Sequence, residues 1–218
     1  MKNEIKLYKI GETYIKFNFE YSEVNKLKIK EAYLSQIGIT SRECLKNDQV
    51  YKISIEFEKG SLKTNIRIWC TSIFLFTVGY GSFKTGLKEI VSDVRQVSEA
   101  VVNGFYSSPN ITQNNIIRTE RRLGLPGRLH ELYKRIDSYE RNINNLSNAQ
   151  QQVELTAIKT EIANLIELLS EQDKQAFLNE INNNYTQNLP QPNQRRIKYL
   201  INKYALQPEN KVEFIEEI

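Results

Sequence analysis

Residues 50–69, VYKISIEFEKGSLKTNIRIW, alternate apolar and polar side chains on either side of a glycine-containing turn, and this pattern decides the fold class. Tyr51, Ile53, Ile55 and Phe57 recur at every second position, the period of a strand with one buried face. Glu58-Lys59-Gly60-Ser61 supplies the turn. Leu62, Ile66 and Ile68 resume the apolar series, while Lys63, Asn65 and Arg67 fall on the opposite face. The expectation is a β-hairpin with one side against a core and the other towards water.

The segments around it divide into a β-rich front and a helical remainder. Residues 4–21 read as a second hairpin, because Ile15, Phe17, Phe19 and Tyr21 alternate with Lys16, Asn18 and Glu20 behind a turn at Ile10-Gly11-Glu12. Residues 22–48 carry a helical pattern over part of their length. After the apolar run 70–79, Leu87, Ile90, Val91, Val94, Val97, Val101 and Val102 are spaced by threes and fours, predicting a helix that stops near Asn103-Gly104. A short helix is predicted over 113–123, broken by Gly124-Leu125-Pro126-Gly127. Leu129, Leu132, Ile136, Tyr139, Ile143 and Leu146 then follow a 3-4-3-4-3 spacing. Ser147-Asn148-Ala149-Gln150 is a capping box that starts a second helix, so the two form an antiparallel hairpin. Ser170 is an N-cap, Ile197, Leu200, Ile201 and Tyr204 mark a further helix, and Pro208 suits the first position of a last one.

The predicted fold class is therefore α+β: a small antiparallel β-hairpin-rich N-terminal region followed by a helical body with an antiparallel helical hairpin. The expected division is a β-rich region plus long helix over 1–105 and a helical domain over 106–218, which together can make one continuous domain.

The 218 residues carry 30 lysines and arginines against 26 acids, a net charge of +4. The excess is uneven: 13 basic against 9 acidic residues in 1–70, 10 against 7 in 71–141, and 7 against 10 in 142–218. Two separated cysteines, Cys44 and Cys70, and an alternating rather than apolar N-terminus predict a cytoplasmic protein without a leader. Richness in Asn, Ile and Lys predicts an AT-rich bacterial source.

No motif supplies a catalytic constellation. His130 has no nucleophile or carboxylate placed for it by sequence. One histidine and two distant cysteines exclude the usual protein zinc sites, so no metal and no cofactor is expected. Thr77-Val78-Gly79-Tyr80-Gly81 resembles the potassium-channel selectivity filter letter for letter, but the charged hairpin before it and Lys84, Lys88, Glu89, Asp93 and Arg95 after it argue against a stable transmembrane span.

Two segments are candidate sites. Arg118, Arg121, Arg122, Arg128, Lys134 and Arg135 form a basic stretch within 118–141, suited to a nucleic acid or another anion if the charges share a face. Phe74, Phe76, Gly79, Gly81 and Gly86 form a small-residue and aromatic junction within 70–87, suited to self-assembly or, in an oligomer, to perturbing a membrane. The leading expectation is a non-enzymatic protein that binds another protein or itself, as an accessory of a bacterial multi-component system such as antiviral defence or a mobile element. Nucleic-acid binding and membrane perturbation are the alternatives.

Overall fold

The computed structural model describes residues 7–45, 51–58, 61–108, 111–207, 212 and 214–217. The front of the chain runs β1 (Leu7–Glu20), α1 (Glu23–Cys44), β2 (Tyr51–Glu58), β3 (Ser61–Cys70), a short α2 (Ile73–Thr77), α3 (Phe83–Tyr106) and β4 (Ile116–Leu123). All strand pairs are antiparallel, in the order β4-β1-β3-β2. A β-α-β-β-α-β succession in that order is the ferredoxin-like, split-βαβ arrangement. The helical body follows as α4 (Leu125–Asn142), α5 (Asn148–Ile166), α6 (Glu171–Asn179), α7 (Asn183–Thr186) and α8 (Gln194–Tyr204). Two short strands close the chain. β5 (Ala205–Leu206) pairs with the start of β1, and β6 (Phe214–Glu217) extends the sheet beyond β2.

The predicted β2–β3 hairpin is present, with Ile53 opposite Ile68 and Ile55 opposite Ile66. Lys59 and Gly60 of its turn lie outside the described residues. Its apolar face packs against α1 and α3, where Tyr33, Ile90, Val97 and Phe105 are buried. The antiparallel helical hairpin is present too. Ser147 Oγ accepts from Gln150 N, and the Gln150 side chain accepts from Ser147 N at 2.9 Å. Ser170 caps α6 by a single bond, its Oγ accepting from Asp173 N at 3.2 Å.

Two expectations change, and a third is left untested. Residues 7–20 are one continuous strand with no turn at Gly11. Gly11 is small for a different reason: a β-carbon there would lie 2.2 Å from Val94 Cγ1 of α3. A bulge at Ile10 accompanies it, since Lys9 faces Trp69 while Gly11 faces Ile68. Residues 116–123 form a strand rather than a helix, because β1 offers an unpaired edge whose ladder outweighs the helix propensity of Arg and Glu. Charged side chains are at home on such an edge strand. Finally, 214–217 form a strand, while the helix start predicted at Pro208 lies outside the described residues.

The sheet crosses residue 106, since β4 pairs with β1. One contiguous core likewise runs from Ile15 and Phe17 through Val94 and Phe105 to Leu129, Ile162 and Phe177. Acidic side chains of the helical body bind the front half directly. Asp173, wholly buried, accepts from Ser72 Oγ at 2.8 Å and from Phe74 N at 2.6 Å, at the start of α2. Glu180 accepts from Phe83 N at 2.6 Å and Lys84 N at 3.1 Å, at the start of α3. Both satisfy helix-terminal N–H groups and complement the positive end of the dipole.

Candidate functional site

With the helices on one face, the strands turn their alternate side chains to the other, and register arranges these in rows. Arg118, Lys16, Lys63 and Glu58 make one row across β4, β1, β3 and β2. Glu120, Tyr14, Asn65 and Glu56 make the next, and Arg122, Glu12, Arg67 and Ser54 the third. Beyond it lie Lys9, Trp69 and Lys52.

The third row is built around one carboxylate. Glu12 is only 3% exposed. It accepts from Lys9 Nζ at 2.9 Å, Arg67 Nε at 2.6 Å and Arg122 Nη1 at 2.7 Å. Burial pushes its carboxyl up, but the lysine and Arg67 outweigh burial and hold it at about 2. Arg67 also pairs with Glu56, and Arg122 reaches Glu120 at 2.6 Å while lying 4.8 Å above the Tyr14 ring. Next to this network, Leu7, Trp69 and Leu206 form a small apolar cluster, with Val212 packed on it. Val212, between β5 and β6, therefore lies on the face at its Trp69 end, and the Lys16 row lies at the other end of the strands.

A second surface lies at the tip of the helical hairpin. Tyr139, Leu146, Ala149 and Val153 line a groove of about 730 Å³, rimmed by Arg135, Ser138, Asn142, Gln150 and Glu154. Val153 is 70% exposed.

The basic stretch does not converge on one face. Arg118 and Arg122 sit on the open face of the sheet. Arg121 projects to the helical side and pairs with Glu99 of α3 at 2.8 Å. Arg128 pairs with Glu161 at 2.6 Å, Arg135 with Glu154 at 2.6 and 2.9 Å, and Lys134 with Glu131 at 3.1 Å. The 70–87 junction is turned inward only in part, with Leu75 and Val78 exposed. Phe76 is wholly buried and Phe74 half-buried. A β-carbon on Gly86 would meet Thr77 Cβ at 2.5 Å, so its smallness serves packing within the chain. Gly79 lies in a 3-10 turn over Val78–Tyr80, and Gly81 follows it at φ 94°, the left-handed region that favours glycine.

Lys9, Glu12, Lys16 and Tyr14 were not singled out by sequence reasoning, although the alternation of Lys16 with Phe17 and of Lys63, Asn65 and Arg67 with Ile66 and Ile68 carried the signal for this face. Cys70 is wholly buried, which pushes its thiol up. Burial lowers the pKa of His130, whose Nδ1 has no hydrogen-bond partner among the described residues. Among those residues there is no cluster of metal-ligating side chains, and no helix is long and apolar enough to cross a membrane. No family model matches the sequence, and comparison with curated proteins and with solved structures finds no match to either.

Proposed function

We propose that this chain is a non-enzymatic protein-interaction module that receives an amphipathic helix of its partner at the tip of the α4–α5 hairpin. The observation that carries the reading is the groove itself: an apolar floor of Tyr139, Leu146, Ala149 and Val153 inside a polar rim that includes the Arg135–Glu154 pair. An apolar centre with a hydrogen-bonding rim is the anatomy of a recognition surface, and a cleft between two helices accepts a third along its length. Covering Val153 alone returns roughly 1 kcal/mol of apolar burial. The role proposed is that of an accessory subunit.

A photo-crosslinking residue at Val153 tests this in cells of the source organism. One discrete adduct is expected, with a distinct protein or a second copy of the chain. It should be lost on Leu146→Asp and absent when the crosslinker replaces Lys198 of α8. A chain that stays unadducted at Val153, and monomeric by light scattering at low and high salt, overturns the reading.

A further inference from the structure

We propose that the end of the sheet face remote from Trp69 is a binding site for the phosphates of a single-stranded nucleic acid, built by Lys16, Lys63 and Arg118. The three residues come from three strands and lie directly opposite one another, Lys16 between the other two. Adjacent strands are about 4.8 Å apart, so the row places three positive charges within about 10 Å. Like charges directly opposite across a sheet are destabilising, and the neighbouring acids relieve the row only in part. Arg118 pairs with Glu120, which it shares with Arg122, and Lys63 is 3.6 Å from Glu58. Lys16, the middle charge, has no carboxylate partner among the described residues. An anion lying along the row would supply what is missing.

The neighbourhood selects the class of anion. The row exceeds the width of a single phosphate, so a chain of phosphates matches it better than an isolated one. The next row holds Tyr14, half-buried, with the Arg122 guanidinium already stacked 4.8 Å above its ring. A ring and a planar cation beside a phosphate track are what unpaired bases stack on. One sheet face presents them together, whereas the bases of a duplex are closed against stacking. The face carries no large exposed apolar side chain in these two rows, so a lipid surface would gain no insertion there. Arg118 is open to solvent, its side chain 66% exposed, and Val212 packs on the face at the far end of the strands. The site is separate from the α4–α5 groove and does not depend on that reading.

The test is fluorescence anisotropy of labelled dT20 and rU20 with the full chain, between 50 and 200 mM salt, with a 20-base-pair duplex and inorganic phosphate as competitors. Each phosphate neutralised on a single strand contributes about 0.7 to the slope of log K against log salt, so the three cations give a slope near −2. Lys16→Glu/Lys63→Glu is expected to weaken binding at least tenfold and to remove about 1.4 of that slope. Arg195→Glu/Lys198→Glu on α8, a charge-matched control, should stay within twofold. Lys16→Glu alone relieves the like-charge row and should leave the melting temperature unchanged or raised, whereas the double variant sets carboxylates opposite each other and opposite Glu58. Should it fold poorly, Arg118→Glu on the edge strand repeats the test at one position. The proposal is overturned by absence of binding, by equal loss in the α8 control, by a duplex that competes as well as the single strand, or by competition from inorganic phosphate alone.

Discussion

Glu12 is the residue on which the open face turns. Its buried carboxylate accepts from three cations, and removing one member of such a group leaves the others desolvated and unbalanced. Glu12→Gln preserves the volume but not the charge, and is expected to cost about 3 kcal/mol at pH 7. The pH dependence gives a sharper check. The folded carboxyl is held at about 2, below its ordinary value of 4.5. A depressed folded-state pKa stabilises fully above the unfolded value and loses that contribution as pH falls through the folded one. Urea denaturation at pH 7, 4.5, 3.5 and 2.5 should therefore show the native chain weakening mainly below pH 4.5, with a distinctly shallower decline in Glu12→Gln. Equal slopes would show that Glu12 is not the titrating group. Lys9 faces the converse problem: burial pulls its pKa down, and Glu12 offsets this only partly.

At the level of elements, two kinds of cap hold helices at their starts, and they differ in what they cost to lose. Ser147 and Gln150 cap α5 reciprocally on an exposed surface. This is a local arrangement, and Ser147→Ala should cost about 1 kcal/mol. Asp173 is the tertiary version. It lies in the first turn of α6, accepts from Ser170 Oγ at 2.7 Å, and reaches across to Ser72 and Phe74 at the start of α2. Asp173→Ala strands these donors in the interior and should cost about 3 kcal/mol. Chemical denaturation of both variants measures the ratio, and comparable losses would mean that water replaces Asp173 at the junction. The β4–α4 joint is equally constrained. Gly124 N donates to Ile10 O at 3.0 Å, and a β-carbon on Gly124 would lie 1.9 Å from the Lys9 carbonyl oxygen. The glycine therefore marks a close passage of two backbones, which the sequence presents only as the end of a helix.

At the scale of the whole molecule, the two halves complete each other. The front half lacks an edge strand until β4 is supplied, and the helical body supplies Asp173 and Glu180 to the starts of α2 and α3. A fragment ending at residue 107 is accordingly expected to remain unfolded, while the full chain unfolds in one transition. Trp69, the single tryptophan, is buried with its indole N–H on Ser54 Oγ at 2.8 Å, so its fluorescence reports the sheet. Far-UV circular dichroism is dominated by the helices. Superimposable denaturation curves from the two probes are the expected result, whereas separate midpoints would show two independently stable parts.

What the sequence by itself determined is whatever depends on neighbours within one or two turns of chain. The alternation in 51–57 and 62–68, the three-four spacing in 87–102 and 129–139, and the caps at Ser147 and Ser170 are all local, and all are present. The tertiary structure decided the rest. Residues 116–123 are a strand because an edge of β1, a hundred residues earlier, pairs with them. Gly11 is a passage for α3 rather than a turn. Arg121 parts from Arg118 and Arg122 because successive residues of a strand face opposite ways, a separation that a helical reading of the same segment hides. Lys16, Lys63 and Arg118 become neighbours only through the register of three strands, and the groove at Val153 exists only once α4 and α5 fold back on each other. Local periodicity is carried by steric and hydrogen-bonding preferences of adjacent residues. Pairing between distant segments is instead settled by which arrangement buries the apolar faces and completes the backbone hydrogen bonds together, and that choice belongs to the folded chain.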